Sequence, residues 1–177
     1  MLEALITSKT RIKLLLKFFL NSNNTGYLRS LEPEFRESTN AIRQELNRFE
    51  KAGLLLSSFE GKKKIFQANT KHPLFPELNS LLMKYVGLDE IIERVILNLG
   101  QLEKVYLVGE LAKGNNSEVI DLWFVGEKLD EKYLKSLTLR AEEFIMRKVS
   151  YLILSLDELE SRLKGKGSNE LLLLWKA

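Results

Sequence analysis

The chain has 177 residues, 45% hydrophobic and 29% charged, which suits one large or two small soluble domains with a real core. It has no cysteine and one histidine, His72, which excludes disulfides, thiolate metal sites, cysteine nucleophiles and a multi-histidine metal site within one chain. The net charge of +3 is unevenly divided: residues 1–72 hold 13 Lys and Arg against 7 Asp and Glu, and the rest hold 14 against 17, so the basic excess lies in the first part.

The opening Met-Leu-Glu-Ala-Leu-Ile has no basic leader, and runs such as Leu14–Leu16 and Leu171–Trp175 are far short of a membrane span. A cytoplasmic protein with no membrane contact is expected. Ser8 or Thr10 can cap a first helix to about Leu20. Its apolar face is Ile12, Leu15, Leu16 and Phe19, and its polar side Lys9, Lys13 and Lys17. Leu14, Phe18 and Leu20 widen the apolar surface, which calls for either a partner subunit or a second contact inside the same domain. Asn21–Gly26 is a loop by composition. A second helix opens at Tyr27-Leu28-Arg29-Ser30-Leu31-Glu32, and Pro33 predicts that it is short, kinked or late in starting.

The stretch from Ser38 to Lys64 is the most informative. Ser38 is a good N-cap, Ile42, Leu46 and Phe49 make one apolar face, and Gly53 closes the helix. Asn40, Arg43, Gln44, Asn47 and Lys51 share another face, with side chains of the kind that reach base edges and phosphates. A hairpin follows, Leu54–Phe59 and Lys63–Ala68, turning at Glu60-Gly61-Lys62 with Lys62, Lys63 and Lys64 at its tip. A basic tip directly behind a polar-faced helix can hold flanking phosphates while the helix lies in a groove.

From about Ser8 to about Asn69 the chain resembles the winged helix-turn-helix domains of ArsR-like transcriptional regulators. Ser38, Ile42, Leu46, Phe49-Glu50 and Ala52-Gly53-Leu54-Leu55 stand where their recognition helix enters the wing. The resemblance implies a double-stranded DNA partner, with Asn40, Arg43, Gln44 and Asn47 reading bases. Ser38 and Thr39 open the same surface, while Lys62, Lys63, Lys64 and Arg48 or Lys51 contact phosphate. Pro33 departs from the family pattern at the supporting helix.

His72-Pro73-Leu74-Phe75-Pro76 ends the first domain. A helix follows to about Val86, with Leu78, Leu81, Leu82 and Tyr85 on one face. Gly87 breaks it, and another runs from Asp89 to Gly100 with Ile92, Val95, Ile96 and Leu99 apolar. These helices can link the halves or form a dimer interface. Strands are then predicted at Val105–Val108, Val119–Val125 and Val149–Leu156, with a helix from Glu131 to about Lys148 carrying Leu134, Leu137, Ala141 and Phe144 inward. Asp157-Glu158-Leu159 opens a short helix to about Leu163. Lys164–Ser168 reads as a flexible loop, and Glu170–Trp175 as an apolar tail that docks.

This second part resembles the minimal nucleotidyltransferase family, whose members place a Gly-Ser turn after one strand and two aspartates at i and i+2 on the next. The resemblance implies carboxylates holding two magnesium ions over a nucleotide triphosphate. Here Val108-Gly109 aligns, Glu110 takes the serine position, Asp121 matches the second aspartate, and Val119 stands where the first would be. Glu118 is at odd spacing from Asp121, and the third strand has no acid.

The expected fold is therefore a two-domain α+β and α/β protein. Residues 1–72 form a winged helix-turn-helix DNA-binding domain, 73–100 a helical linker and dimerisation segment, and 101–177 a small mixed-sheet nucleotidyltransferase-like domain. The expected function is a dimeric DNA-binding transcriptional regulator. Its second domain is expected to be catalytically inactive, a sensor or assembly module with a degenerate nucleotide site at Gly109, Glu110 and Asp121. No enzyme activity, catalytic residue, metal or cofactor is expected; the partners are double-stranded DNA and a second copy, with a small-molecule effector left unidentified. The alternatives are an active or divergent nucleotidyltransferase, using Glu110 and Asp121, and an antitoxin-like protein-interaction module.

Overall fold

A short helix α1 (Leu2–Leu5) opens the chain, and Ser8 starts α2 (Lys9–Leu15) by accepting the Arg11 amide at 3.2 Å. In this computed structural model residues 2–164, 167 and 170–177 are described, without the side chains of 95–98. Helix α2 does not run straight to Leu20: it passes into a π-helical turn at Leu16–Leu20. Leu14, Phe18 and Leu20 are fully buried there, so the chain itself covers the apolar excess without a second subunit. The carbonyls of Phe19 and Leu20, left open by the helix end, accept from the Asn79 amide at 2.7 and 3.2 Å.

The stretch read as a loop contains a two-residue strand, β1 (Thr25–Gly26). Helix α3 (Leu28–Phe35) is short, with Pro33 inside it, and ends where Arg36 takes a left-handed φ of +53°. Two lysines of the α2 region anchor its C-terminal end. Lys13 donates to the Phe35 carbonyl and to Glu37, both at 2.7 Å, and Lys17 donates to Glu34 at 2.6 Å. Lys17 was expected on a polar side; it is buried instead, because this ion pair satisfies its charge.

Helix α4 (Thr39–Lys51) follows its sequence pattern closely. The Ser38 hydroxyl accepts the Ala41 amide at 3.2 Å, and Ile42, Leu46 and Phe49 are buried. Gly53 sits at φ +73°, which lets the Leu54 amide turn back to the Phe49 carbonyl at 2.9 Å. Strands β2 (Leu55–Glu60) and β3 (Lys63–Ala68) pair antiparallel with Glu60 opposite Lys63, so the turn is Gly61-Lys62, one residue tighter than predicted. Thr25 and Gly26 pair with Gln67 and Phe66, giving the order β1-β3-β2. Helix α5 (Phe75–Val86) carries Pro76 in its first turn. Phe75 lies 6.0 Å from Phe19, which meets Phe49 edge-on at 6.2 Å.

The chain divides into two compact units, Met1–Tyr85 and Val86–Ala177. In the second, α6 (Leu88–Asn98) follows Gly87 and buries Leu88 and Ile91; Val95 and Ile96, expected on its apolar face, have side chains outside the described residues. Strands β4 (Gln101–Val108), β5 (Val119–Glu127), β6 (Lys148–Leu154) and β7 (Leu171–Lys176) form a mixed sheet in the order β6-β5-β4-β7. β4 is antiparallel to β5 and β7, and β5 is parallel to β6. The parallel pair needs a crossover, which α8 (Glu131–Ile145) supplies. One sheet face buries Val105, Leu107, Ile120, Leu122 and Phe124. The other gathers Val108, Trp123, Val125 and Leu154 with Leu159 of α9 (Leu156–Leu163).

Two expectations are corrected here, and the apolar tail docks as expected. Phe144 continues the inward spacing of α8 but is 72% exposed, with its ring beside Arg94 at 5.7 Å; the last turn packs through the next residue, Ile145, which lies against Gly87. Leu156 begins α9 instead of ending β6, since Ser155 caps that helix by accepting the Glu158 amide at 3.2 Å. The apolar tail is a hydrogen-bonded strand, β7, on the edge of β4. In the predicted loop Lys164–Ser168, residues 165, 166 and 168 lie outside the described residues. Among the described residues no helix is long and apolar enough to cross a membrane.

Candidate nucleic-acid interface

Three stretches distant in sequence meet beside α4. Tyr27 and Arg29 come from the start of α3, Arg43 and Asn47 from α4, and Lys62, Lys63 and Lys64 from the hairpin tip. Together they line a groove of about 690 Å³, floored by Leu28, Leu46 and Phe66. Five cationic side chains border one apolar floor, and one of them, Lys64, is paired with Glu50. Two of the lysines are held by aromatic rings: Lys63 Nζ lies 4.8 Å from the Tyr27 ring centre and Lys64 Nζ 5.1 Å from that of Phe66.

Asn40, Gln44, Arg48 and Lys51 are exposed on α4, with Ser38 exposed and Thr39 half-buried at its start. Not all these groups are equivalent. The Ser38 hydroxyl is used by the helix cap. The Arg48 guanidinium donates to Glu45 at 3.1 Å. Lys64 donates to Glu50 at 2.7 Å, and Ser57 donates to the same carboxylate at 2.5 Å. Lys64 and then Ser57 hold the Glu50 carboxyl below its ordinary range.

Two features escaped the sequence reading. Arg29 and Tyr27 carry no local signal for this surface; only the fold brings them to it. Glu45 is the other. It lies on the buried side of α4, between Ile42 and Phe49, and is 6% exposed. Arg11 of α2 binds it through two nitrogens, Nε to Oε2 at 2.9 Å and a terminal nitrogen to Oε1 at 3.1 Å, and the Ser8 hydroxyl donates at 3.3 Å. The signal was present: an acid three residues after Ile42 and four before Phe49 falls inside the apolar stripe and needs a partner. His72, the single histidine, accepts the Leu74 amide through Nδ1 at 3.1 Å, closing a turn.

The other predicted site lies at the end of β4 in the second unit. Gly109, at φ +71°, begins the short helix α7 (Gly109–Ala112). A Cβ there would sit 2.6 Å from Asp121 Oδ2, so the turn and the carboxylate are in contact and only glycine fits between them. Asp121 stands opposite Val108 on β4 and Ser150 on β6. Val119 shares its face of the strand. Glu110 is exposed and accepts from Asn115 at 2.7 Å and Lys113 at 3.3 Å. Among the described residues no three His, Asp or Glu are grouped to hold a metal ion, so these side chains do not fit the two-magnesium arrangement.

No family model and no curated protein matches the chain. Solved structures do. A "putative nucleotidyltransferase" from Sulfolobus solfataricus is 26% identical, covering 56% of this chain and 86% of that one, with a TM-score of 0.38. A toxin-antitoxin solved with AMP-PNP is 20% identical over 50% of this chain and 73% of that one, TM-score 0.39. A structure from Shewanella oneidensis is 18% identical over 53% and 72%, TM-score 0.37. The first of these bears the name nucleotidyltransferase, which stands against the expectation that the chain is no enzyme and its second domain catalytically inactive. That expectation counted acids on two strands, which tests only one way of building such a site.

Proposed function

We propose that the chain is a DNA-binding regulator. Residues 1–72 act as a winged helix-turn-helix of the ArsR-like kind, with α3 and α4 as the helix pair and β2–β3 as the wing. The observation that carries this reading is the cationic groove, in which Arg29, Arg43 and Lys62–Lys64 converge on one flank of α4. A duplex offers a groove that accepts a helix, bordered by phosphates that accept cations. In this reading Asn40, Arg43, Gln44 and Asn47 meet base edges. Arg48, Lys51 and the wing lysines meet phosphates, and Ser38 and Thr39 bring the N-terminus of α4 to the backbone. Residues 73–100 serve as linker and homodimer interface, and 101–177 as a sensing or assembly module.

Selection of duplexes from a random pool, followed by anisotropy titrations, tests the proposal. Arg43→Ala is expected to lose about 1–3 kcal/mol on the selected sequence and to discriminate less at one base position. Absence of any enriched sequence, with no duplex affinity at low salt, overturns it. A stable protein partner in that case supports the antitoxin-like alternative.

The contact between Gly109 and Asp121 favours a second reading, that residues 101–177 bind and transfer a nucleotide. Calorimetry with ATP, with and without magnesium, is expected under that reading to show binding that Asp121→Ala abolishes. Absence of heat in both conditions removes it.

A further inference from the structure

The hairpin presents an aromatic side chain that no core uses. Phe59 is 72% exposed. Register fixes where it points: on β2 it shares a face with Ser57 and Leu55, and it stands opposite Lys64 on β3. Ser57 and Lys64 both donate to Glu50 of α4, so this face of the hairpin looks toward α4. Leu55, at the base, is buried; Phe59, nearer the tip, is not. The ring therefore stands on the α4 side of a tip that carries Lys62, Lys63 and Lys64. A large apolar group left in water has forgone the stabilisation that burial gives. With Lys64 opposite it and Lys62 and Lys63 at the same tip, it complements a ligand that is polyanionic outside and apolar within.

We propose that Phe59 is a nucleic-acid contact. With α4 in the major groove, the hairpin tip reaches the neighbouring minor groove, where Phe59 packs on deoxyribose and base edges while the lysines hold the flanking phosphates. The assignment rests on the DNA-binding reading above and adds to it an apolar, salt-independent component.

The test uses the tightest duplex that the wild-type chain recovers from a random-sequence pool, titrated over a range of salt. Phe59→Ala is expected to bind about tenfold more weakly, the scale set by burying an aromatic side chain, with the salt slope unchanged. Phe59→Leu is expected to keep most of the affinity, and Lys62→Ala to lower the slope by about 0.9. Far-ultraviolet dichroism and a thermal melt confirm that each variant is folded. If wild type binds and Phe59→Ala matches it in affinity and slope, the assignment of Phe59 falls while the DNA-binding reading stands. If wild type recovers no duplex, both fall. A change in sedimentation of Phe59→Ala with duplex affinity intact overturns the assignment in favour of a contact between copies.

Discussion

Replacing Lys62, Lys63 and Lys64 together by alanine is expected to flatten the salt dependence of duplex binding by about 2–3 units of slope and to weaken binding roughly a hundredfold near 0.1 M salt. Each ammonium that neutralises a phosphate releases condensed counterions, so the loss should be the same on selected and unselected sequences. The three lysines are not equal. Lys62 is exposed at the turn, whereas Lys64 is engaged by Glu50 at 2.7 Å. A phosphate that recruits Lys64 must first compete with that carboxylate. Glu50→Gln removes the competitor and is expected to tighten binding and steepen the slope by about one unit. Anisotropy titrations of wild type, the triple variant and Glu50→Gln against one duplex check both signs. An unchanged slope in the triple variant removes the hairpin from the interface.

Glu45→Ala is expected to destabilise the first unit by about 2 kcal/mol in a denaturant titration, the loss of the charged hydrogen bonds from Arg11, Arg48 and Ser8. Arg11 on α2 and Arg48 on α4 converge on this carboxylate, so it clamps the helix that carries the proposed base-reading face against its support. Replacing Arg11 and Glu45 together by leucine is expected to recover most of the loss, because a packed apolar pair needs no counter-charge. A pH dependence follows. Burial raises the Glu45 pKa, but the hydrogen bond and charge of Arg11, the charge of Arg48 and the Ser8 hydroxyl outweigh it and hold the group below its ordinary value. A folded-state pKa below the unfolded one gives stability that is present above about pH 4.3 and is lost as pH falls through the folded value. Glu45→Gln should lack that acid limb in unfolding curves recorded between about pH 2 and 6.

Where structure is decided locally, the sequence was readable. Ser38, the Ile42–Leu46–Phe49 spacing and Gly53 set α4 by capping, periodicity and a left-handed stop, all within a few residues of each other. Partners distant along the chain were not readable. Nothing near Gly26 announces its pairing with Phe66, and nothing near Leu171 announces β4. The spacing of Glu45 places it inside the apolar stripe of α4, but its partner Arg11 lies on another helix and is not named by anything local. Phe144 differs for the opposite reason: its local spacing is right, but at the helix end Ile145 takes the packed position, against Gly87, and leaves the ring outside. Of the groove, Arg43, Asn47 and Lys62–Lys64 came from pattern, while Arg29 and Tyr27 came only from the fold.

The rings beneath Lys63 and Lys64 bear on how tightly an anion can be held. A free surface lysine samples many rotamers and must give them up when it binds, at about 0.5–1.5 kcal/mol for each side chain immobilised. Stacked over Tyr27 and Phe66, these two ammonium groups have surrendered part of that freedom beforehand. The hairpin tip is thus partly preorganised at Lys63, where an incoming polyanion meets a donor already standing in place, while Lys64 must first leave Glu50.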